Sequence, residues 1–290
     1  MLNKFLILIF CLMAVVMLCG NVMAFNWDAH RKITRTGLIG LDIDAMREVV
    51  AGNLSVDQGR LEKQRSPHFD SEHFSGGAVF IKDRLKKASQ ALASCDVHRA
   101  RKMFGQALHP TQDFFSHSNW VEKNLNNPAA TIDVTLLRDN SSTVRNSWIQ
   151  GKCCRDMASR GCQNVPLTTG FMVRDNLLWR RCTHNQLNKD NESKKYFPQA
   201  VDRATRATHQ IFKAFITSLV RQYGAEKTQD MVAAFAKNDE ASGKKICSKA
   251  KLQTSCSRHQ QQVIPGHITR VVEKIFQRLT DDELPPDIYN

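Results

Sequence analysis

The sequence predicts an all-α fold: a single multi-helix domain around a metal cluster, with a long disulfide-pinned loop region. Three observations predict it. Apolar residues recur at helical spacing through several long stretches, while strand-like alternation is scarce. The stretch ALHPTQDFFSHSNWVE, residues 107–122, sets His109, Asp113 and His117 four positions apart. Cysteines crowd a middle region rich in turn signals.

Residues 1–24, MLNKFLILIFCLMAVVMLCGNVMA, hold one lysine, a long apolar run and the ending Val22-Met23-Ala24, which fits the small-residue rule of signal peptidase. They read as a cleaved signal peptide, in preference to an uncleaved anchor or to a lipoprotein at Cys19, where Leu18 is too bulky. The functional domain is then 25–290, and the destination is outside the cytoplasm, extracellular or periplasmic. Residues 28–50 mix helix and turn signals. Residues 78–104 carry Phe80, Leu85, Ala88 and Leu92 at helical spacing.

In the 107–122 stretch a helix stacks His109, Asp113 and His117 on one face over about two turns. Phe104, Leu108, Phe114, Phe115 and Trp120 crowd that stripe, which argues against an exposed polar face. Zinc accepts neutral imidazole nitrogen and carboxylate oxygen, so the stripe is a metal face. Pro110 lacks an N–H, and the helix is expected to begin near it or to kink there. Residues 124–197 are looser, with NNPAA, DNSS, GKCC, RGC and NKDN as turn signals. Residues 198–222 open with Pro198 in a first-turn position and carry Ala200, Ala204, Ala207, Ile211, Phe215 and Leu219 as a stripe. Residues 266–280 repeat the pattern with Ile268, Val272, Ile275 and Leu279. No internal repeat or linker divides the chain.

The formal net charge is +13, or +12 once Lys4 leaves with the leader. That favours phosphate-rich or acidic surfaces as partners, although no run of five like charges marks a nucleic-acid tail. Seven cysteines lie beyond residue 24. In an exported chain they read as disulfides with one left over. Cys247 and Cys256 are close enough to close a small loop, Cys153, Cys154, Cys162 and Cys182 allow two bridges, and Cys95 is then the odd one. A thiolate zinc site would need a CxxC pair, and none occurs.

Further donors accompany the stripe. Cleavage after Ala24 frees the amine of Phe25, which with its own carbonyl can chelate a metal, and His30 follows. SPHFDSEHF brings His68, Asp70 and His73; CTHNQLNKD brings His184 and Asp190. Taken singly, each histidine is of a type common on surfaces. His98, His209, His259 and His267 read as ordinary, and Trp27 and Trp120 as packing residues.

These motifs together resemble the zinc-dependent phospholipase C and fungal single-strand nuclease superfamily, nearest the branch of the heterokaryon-incompatibility protein C and the bacterial phosphatidylcholine-hydrolysing phospholipases C. The resemblance implies three zinc ions. One takes Asp57, His68, His109 and Asp113; a second takes Phe25, His30 and the other oxygen of Asp113; a third takes His117, His184 and a carboxylate, for which Asp190 is the nearest substitute. At this third site the sequence departs from the family, which expects an acid four residues after the histidine where Asn188 stands. Clustered divalent ions neutralise a phosphodiester and activate water, and Asp57 or Asp70 is the candidate general base. The resemblance therefore implies a secreted phospholipase C acting on phospholipid at a membrane surface. The rivals are a single-strand nuclease, the one reading that calls for nucleic acid, and a metal-bound recognition or effector protein without catalysis. No stable protein partner is inferred.

Overall fold

In a computed structural model that describes residues 25–38, 40–172 and 181–237, the chain forms α1 (Trp27–Gly37), α2 (Ile43–Leu54), α3 (Phe74–Ala93), α4 (Val97–His117), α5 (Phe197–Tyr223) and α6 (Ala225–Ala236), joined by shorter helical turns. The fold is all-α as expected. Among the described residues β-pairing is confined to two isolated bridges, Ser118 with Thr169 and Phe171 with Thr183. No helix described is long and apolar enough to cross a membrane.

The helix bearing the 107–122 motif, α4, is the hub. Every residue from Phe104 to His117 is buried, with α2, α3 and α5 packed around it. The mixed signals over 28–50 resolve into α1 and α2. The helical spacing over 78–104 is interrupted at residues 94–96, where Cys95 takes a left-handed φ of 63° and the Asp96 side chain accepts from the Arg99 N–H to start α4. Pro110 does not start the helix; α4 runs through it. A proline inside a helix costs about 3 kcal/mol. Burial of the surrounding apolar residues on α4, each contributing about 1.5–3 kcal/mol, offsets that cost. The 198–222 pattern is α5, with Pro198 in its first turn and Gly224, at φ 81°, ending it.

Two glycines set how closely α2 and α4 approach. A Cβ on Gly105 would lie 2.1 Å from the Val49 carbonyl, and one on Gly52 would lie 2.5 Å from the Lys102 carbonyl. Only backbone without side chains fits that crossing. Phe104, Phe212, Phe215 and Phe235 knit α4, α5 and α6 together, with ring centroids 5.1–6.3 Å apart. Arg101, wholly buried, bonds to the carbonyls of Ala234, Phe235 and Lys237 at the end of α6 and to Glu48 of α2.

The middle region is pinned as expected, by Cys153–Cys162 and Cys154–Cys182. Cys95 is not the odd thiol. It is disulfide-bonded, and since the other described cysteines pair with one another, its partner lies outside the described residues. The Cys247–Cys256 loop and the 266–280 helix also fall outside them.

Candidate metal centre

α4 delivers His109, Asp113 and His117 down one buried face. α1 brings His30, the turn Ser55–Asp57 after α2 brings Asp57, and the turn Ser66–His68 brings His68. Four donor atoms converge. His109 Nε2 lies 3.0 Å from Asp113 Oδ2, 3.2 Å from Asp57 Oδ1 and 3.2 Å from His68 Nδ1. His68 Nδ1 lies 2.9 Å from Asp113 Oδ2 and 3.9 Å from Asp57 Oδ1. A tetrahedral zinc ion with bonds of about 2.0–2.1 Å separates its ligand atoms by about 3.3–3.4 Å. The observed edges scatter around that value. The other oxygen of Asp113, Oδ1, faces His30 Nε2 at 3.1 Å without the alignment of a hydrogen bond. One carboxylate thus serves two groups of donors, Asp57/His68/His109 and His30/His109/Asp113.

The tautomers of two imidazoles are fixed from behind. Gln112 Nε2 donates to Thr34 Oγ1 and Thr208 Oγ1, so its Oε1 accepts from His30 Nδ1 at 2.7 Å and from Asn53 Nδ2 at 3.1 Å. With its amide committed that way, Asn53 turns Oδ1 to His109 Nδ1 at 3.1 Å. Both rings therefore donate from Nδ1 and turn Nε2 toward the carboxylates, the orientation in which metal-binding histidines are held by an outer partner. Sequence reasoning missed Asn53, Gln112, Thr34 and Thr208. Their partners lie 19 to 96 residues away in sequence, so no local spacing points to them.

A second cluster lies one turn further along α4. His184 Nδ1 is 2.9 Å from Asp70 Oδ1, His117 Nδ1 is 3.6 Å from the same oxygen, and the two rings meet at 4.1 Å. His117 Nδ1 also donates to the His68 carbonyl at 3.2 Å. Asp70 thus occupies the carboxylate place in this group. Asp190 stands beside it, its Oδ1 accepting from Ser116 at 2.6 Å and lying 3.6 Å from His117 Nε2. Of the other candidates, Phe25 is fully buried with its ring 5.7 Å from that of His30, whereas His73 contacts Arg65 and joins neither group.

The electrostatics couple the buried imidazoles tightly to the carboxylates. Burial opposes charge on His109, yet the carboxylates of Asp113 and Asp57 raise it to about 10. Burial likewise opposes charge on His117; Asp113, Asp190 and Asp70 raise it to about 9. Against the same burial, the facing His109 holds Asp57 below the usual carboxylate range, and His109 with His117 holds Asp113 well below it. The Nε2 atoms of His30, His68, His117 and His184, with Asp57 Oδ2 and Asp113 Oδ1, are buried without a hydrogen-bond partner. Such orphans are rare in proteins, and their donor chemistry, nitrogen and oxygen only, fits divalent zinc.

Residues 40–177, just under half of the chain, match a family described as the VWA7 N-terminal domain. That stretch includes Asp57, His68, Asp70, His109, Asp113 and His117 but not His30, His184 or Asp190. Human von Willebrand factor A domain-containing protein 7 is 44% identical over 55 residues, 19% of this chain and 6% of its own length. The rat protein of the same name is 37% identical over 79 residues, 27% of this chain and 9% of its own length. The chain thus aligns with less than a tenth of these relatives. No solved structure matches.

These matches overturn the resemblance to zinc-dependent phospholipases C and single-strand nucleases, and with it the phospholipase C, hydrolase and lipid-degradation readings. The physical reason is that His-x3-Asp-x3-His on a buried helix specifies a place for a cation, not a reaction. The general-base roles imagined for Asp57 and Asp70 lose their reaction too. Both carboxylates are engaged with imidazoles inside the cluster.

Proposed function

We propose that this chain is a non-catalytic metal-binding domain, exported after loss of residues 1–24, in which zinc ions fasten its helices into a rigid recognition module. One ion is held by Asp57, His68, His109 and Asp113, a second by His30 and the shared Asp113 with the Phe25 amine, and a third by Asp70, His117 and His184 with Asp190 beside it. Zinc would add strong directional bonds between segments that already share one apolar core. The observation that carries this reading is the buried set of imidazole nitrogens and carboxylate oxygens facing one another at ligand-to-ligand spacing, with other nitrogen and oxygen atoms of the same cluster left without a hydrogen-bond partner. The net charge of +13 supports an acidic surface as the partner the module meets.

The test is elemental analysis of the purified full chain, never exposed to chelator. About three zinc ions per chain are expected, each with a donor set of the kind tabulated for zinc. Asp113→Asn should lose the two that share it, and a form with residues added ahead of Phe25 should lose one. Protein that purifies metal-free and takes up no zinc on titration sinks the reading.

A further inference from the structure

We propose that the Cys154–Cys182 disulfide is the positioning device for His184, so that the Asp70/His117/His184 group takes its ion only in the oxidised chain. This rests on the metal reading above and concerns one of its groups.

The two halves of the centre are supported differently. His30, His109 and Asp113 sit on long helices, and Asp57 follows directly from α2. His184 has no such support. It opens a helical turn of only four residues, His184–Leu187. Asp70 lies in the run 69–72, where Phe69, Ser71 and Glu72 all hold left-handed φ values of 54–59°, a conformation that persists only where surroundings impose it. Residues 168–170 hold it directly, the Ser71 N–H donating to the Gly170 carbonyl and the Glu72 N–H to Thr169 Oγ1, and residues 181–184 brace that segment in turn. Cys182, wholly buried, is bonded to Cys154 of the short helix Gly151–Arg155, closing a separation of 28 residues. The Phe171 N–H donates to the Cys182 carbonyl at 2.8 Å, and the His184 N–H returns to the Phe171 carbonyl at 3.0 Å. Gly170 lies so near that a Cβ there would stand 2.4 Å from His184 Cα. Next to Cys182, Arg181 pairs with Glu72, two residues from Asp70, and donates to Thr168 Oγ1 and to the Val144 and Ser147 carbonyls. The disulfide therefore anchors one end of a strap whose other attachments carry both Asp70 and His184.

The second bridge, Cys153–Cys162, closes only 9 residues and does not reach residues 182–184. It is a built-in control. Because Cys154 and Cys182 are sealed from solvent in the fold, the dependence is set as the chain folds. A dithiol reductant acting on the unfolded chain breaks the S–S bond, delivers two electrons and two protons to give two thiols, and leaves as its own disulfide. Folding from that state must order the 28-residue loop without a cross-link, an entropic cost that falls on the strap.

The experiment compares zinc content and the cobalt(II) absorption spectrum of the full-length wild type, Cys154→Ser/Cys182→Ser, Cys153→Ser/Cys162→Ser and His184→Ala. The 154/182 variant should bind one ion fewer than wild type and reproduce the cobalt spectrum of His184→Ala, while the 153/162 variant keeps the full load. Equal zinc in wild type and the 154/182 variant overturns the inference, as does loss of the same ion from the 153/162 variant. If the 154/182 variant cannot be recovered folded, the single substitutions Cys154→Ser and Cys182→Ser, refolded with zinc under air, are compared with the 153/162 variant in the same way. A wild type that binds no zinc overturns the metal reading itself, a result distinct from an unchanged stoichiometry.

Discussion

Asp113 places one oxygen in each of two donor groups, and both flanking imidazoles are aimed by amides behind them. The amides give the first prediction. Asn53→Ala leaves His109 Nδ1 without its acceptor, and zinc affinity at that group should fall about 10–100-fold, the usual effect of losing an outer partner. Competition against a chromophoric chelator measures it, and an unchanged affinity would remove Asn53 from the centre. A second prediction concerns protons. His109 and His117 are raised, to about 10 and about 9, so their contribution to the metal-free fold is fully present below their ordinary value near 6.5 and is lost as pH rises through those figures. Asp57 and Asp113 are depressed, so theirs is present above about 3.9 and lost as pH falls through the native value. Zinc must displace the two imidazole protons and that of the Phe25 amine, whose ordinary value is about 7.7–8.0, so binding at pH 7 should release about three protons per chain, and the stabilisation by zinc should grow from pH 5 to pH 8. Calorimetry in buffers of different ionisation enthalpy counts those protons. The stripe His109, Asp113, His117 was legible in the sequence because a four-residue period is helical. That Asp70 joins Asp190 beside His117 was not, because it depends on left-handed turns at Phe69 and Ser71 with no glycine to announce them.

At the level of elements, the crossing of α2 and α4 decides whether the centre can form. Gly52 and Gly105 let the two backbones touch, and that contact seats Asn53 against His109 and carries Asp57 to its place. Gly105→Ala should force the helices apart, costing about 1–3 kcal/mol as overpacking does, and should weaken zinc binding along with stability. Chemical denaturation with and without zinc reads both effects; a tolerated alanine with undiminished binding would show that the crossing is not limiting. The helices were legible from apolar spacing, and α5 was placed almost to its ends by Pro198 and its stripe. Of the two outcomes expected at Pro110, the late helix start fails, because local cost was weighed without the burial that surrounds it. Cys95 misled because pairing within one region says nothing about pairing across the chain.

On the scale of the whole molecule, the candidate ligands come from α1, the turns around residues 57 and 68–70, α4 and residue 184, so that zinc would tie together segments spread from residue 30 to residue 184. Chelation should therefore lower the thermal midpoint by well over about 5 °C, since occupancy at 100 times Kd is worth about 2.7 kcal/mol for each ion. A midpoint indifferent to chelator would mean that the cluster is held by its ion pairs alone. The all-α class and the disulfide-bearing character of the middle region could be read from patterning, but a reaction could not: the motif gathers donor atoms without naming a chemistry, and comparison over residues 40–177 led away from hydrolases. Arg101 has a mechanical corollary. Its guanidinium grips the last carbonyls of α6, and it stands on the same helix as His109, Asp113 and His117, two turns ahead of the first of them. Force applied to the polypeptide at Lys237 is thus passed through those hydrogen bonds to the rod that carries the candidate ligands, and not to α6 alone.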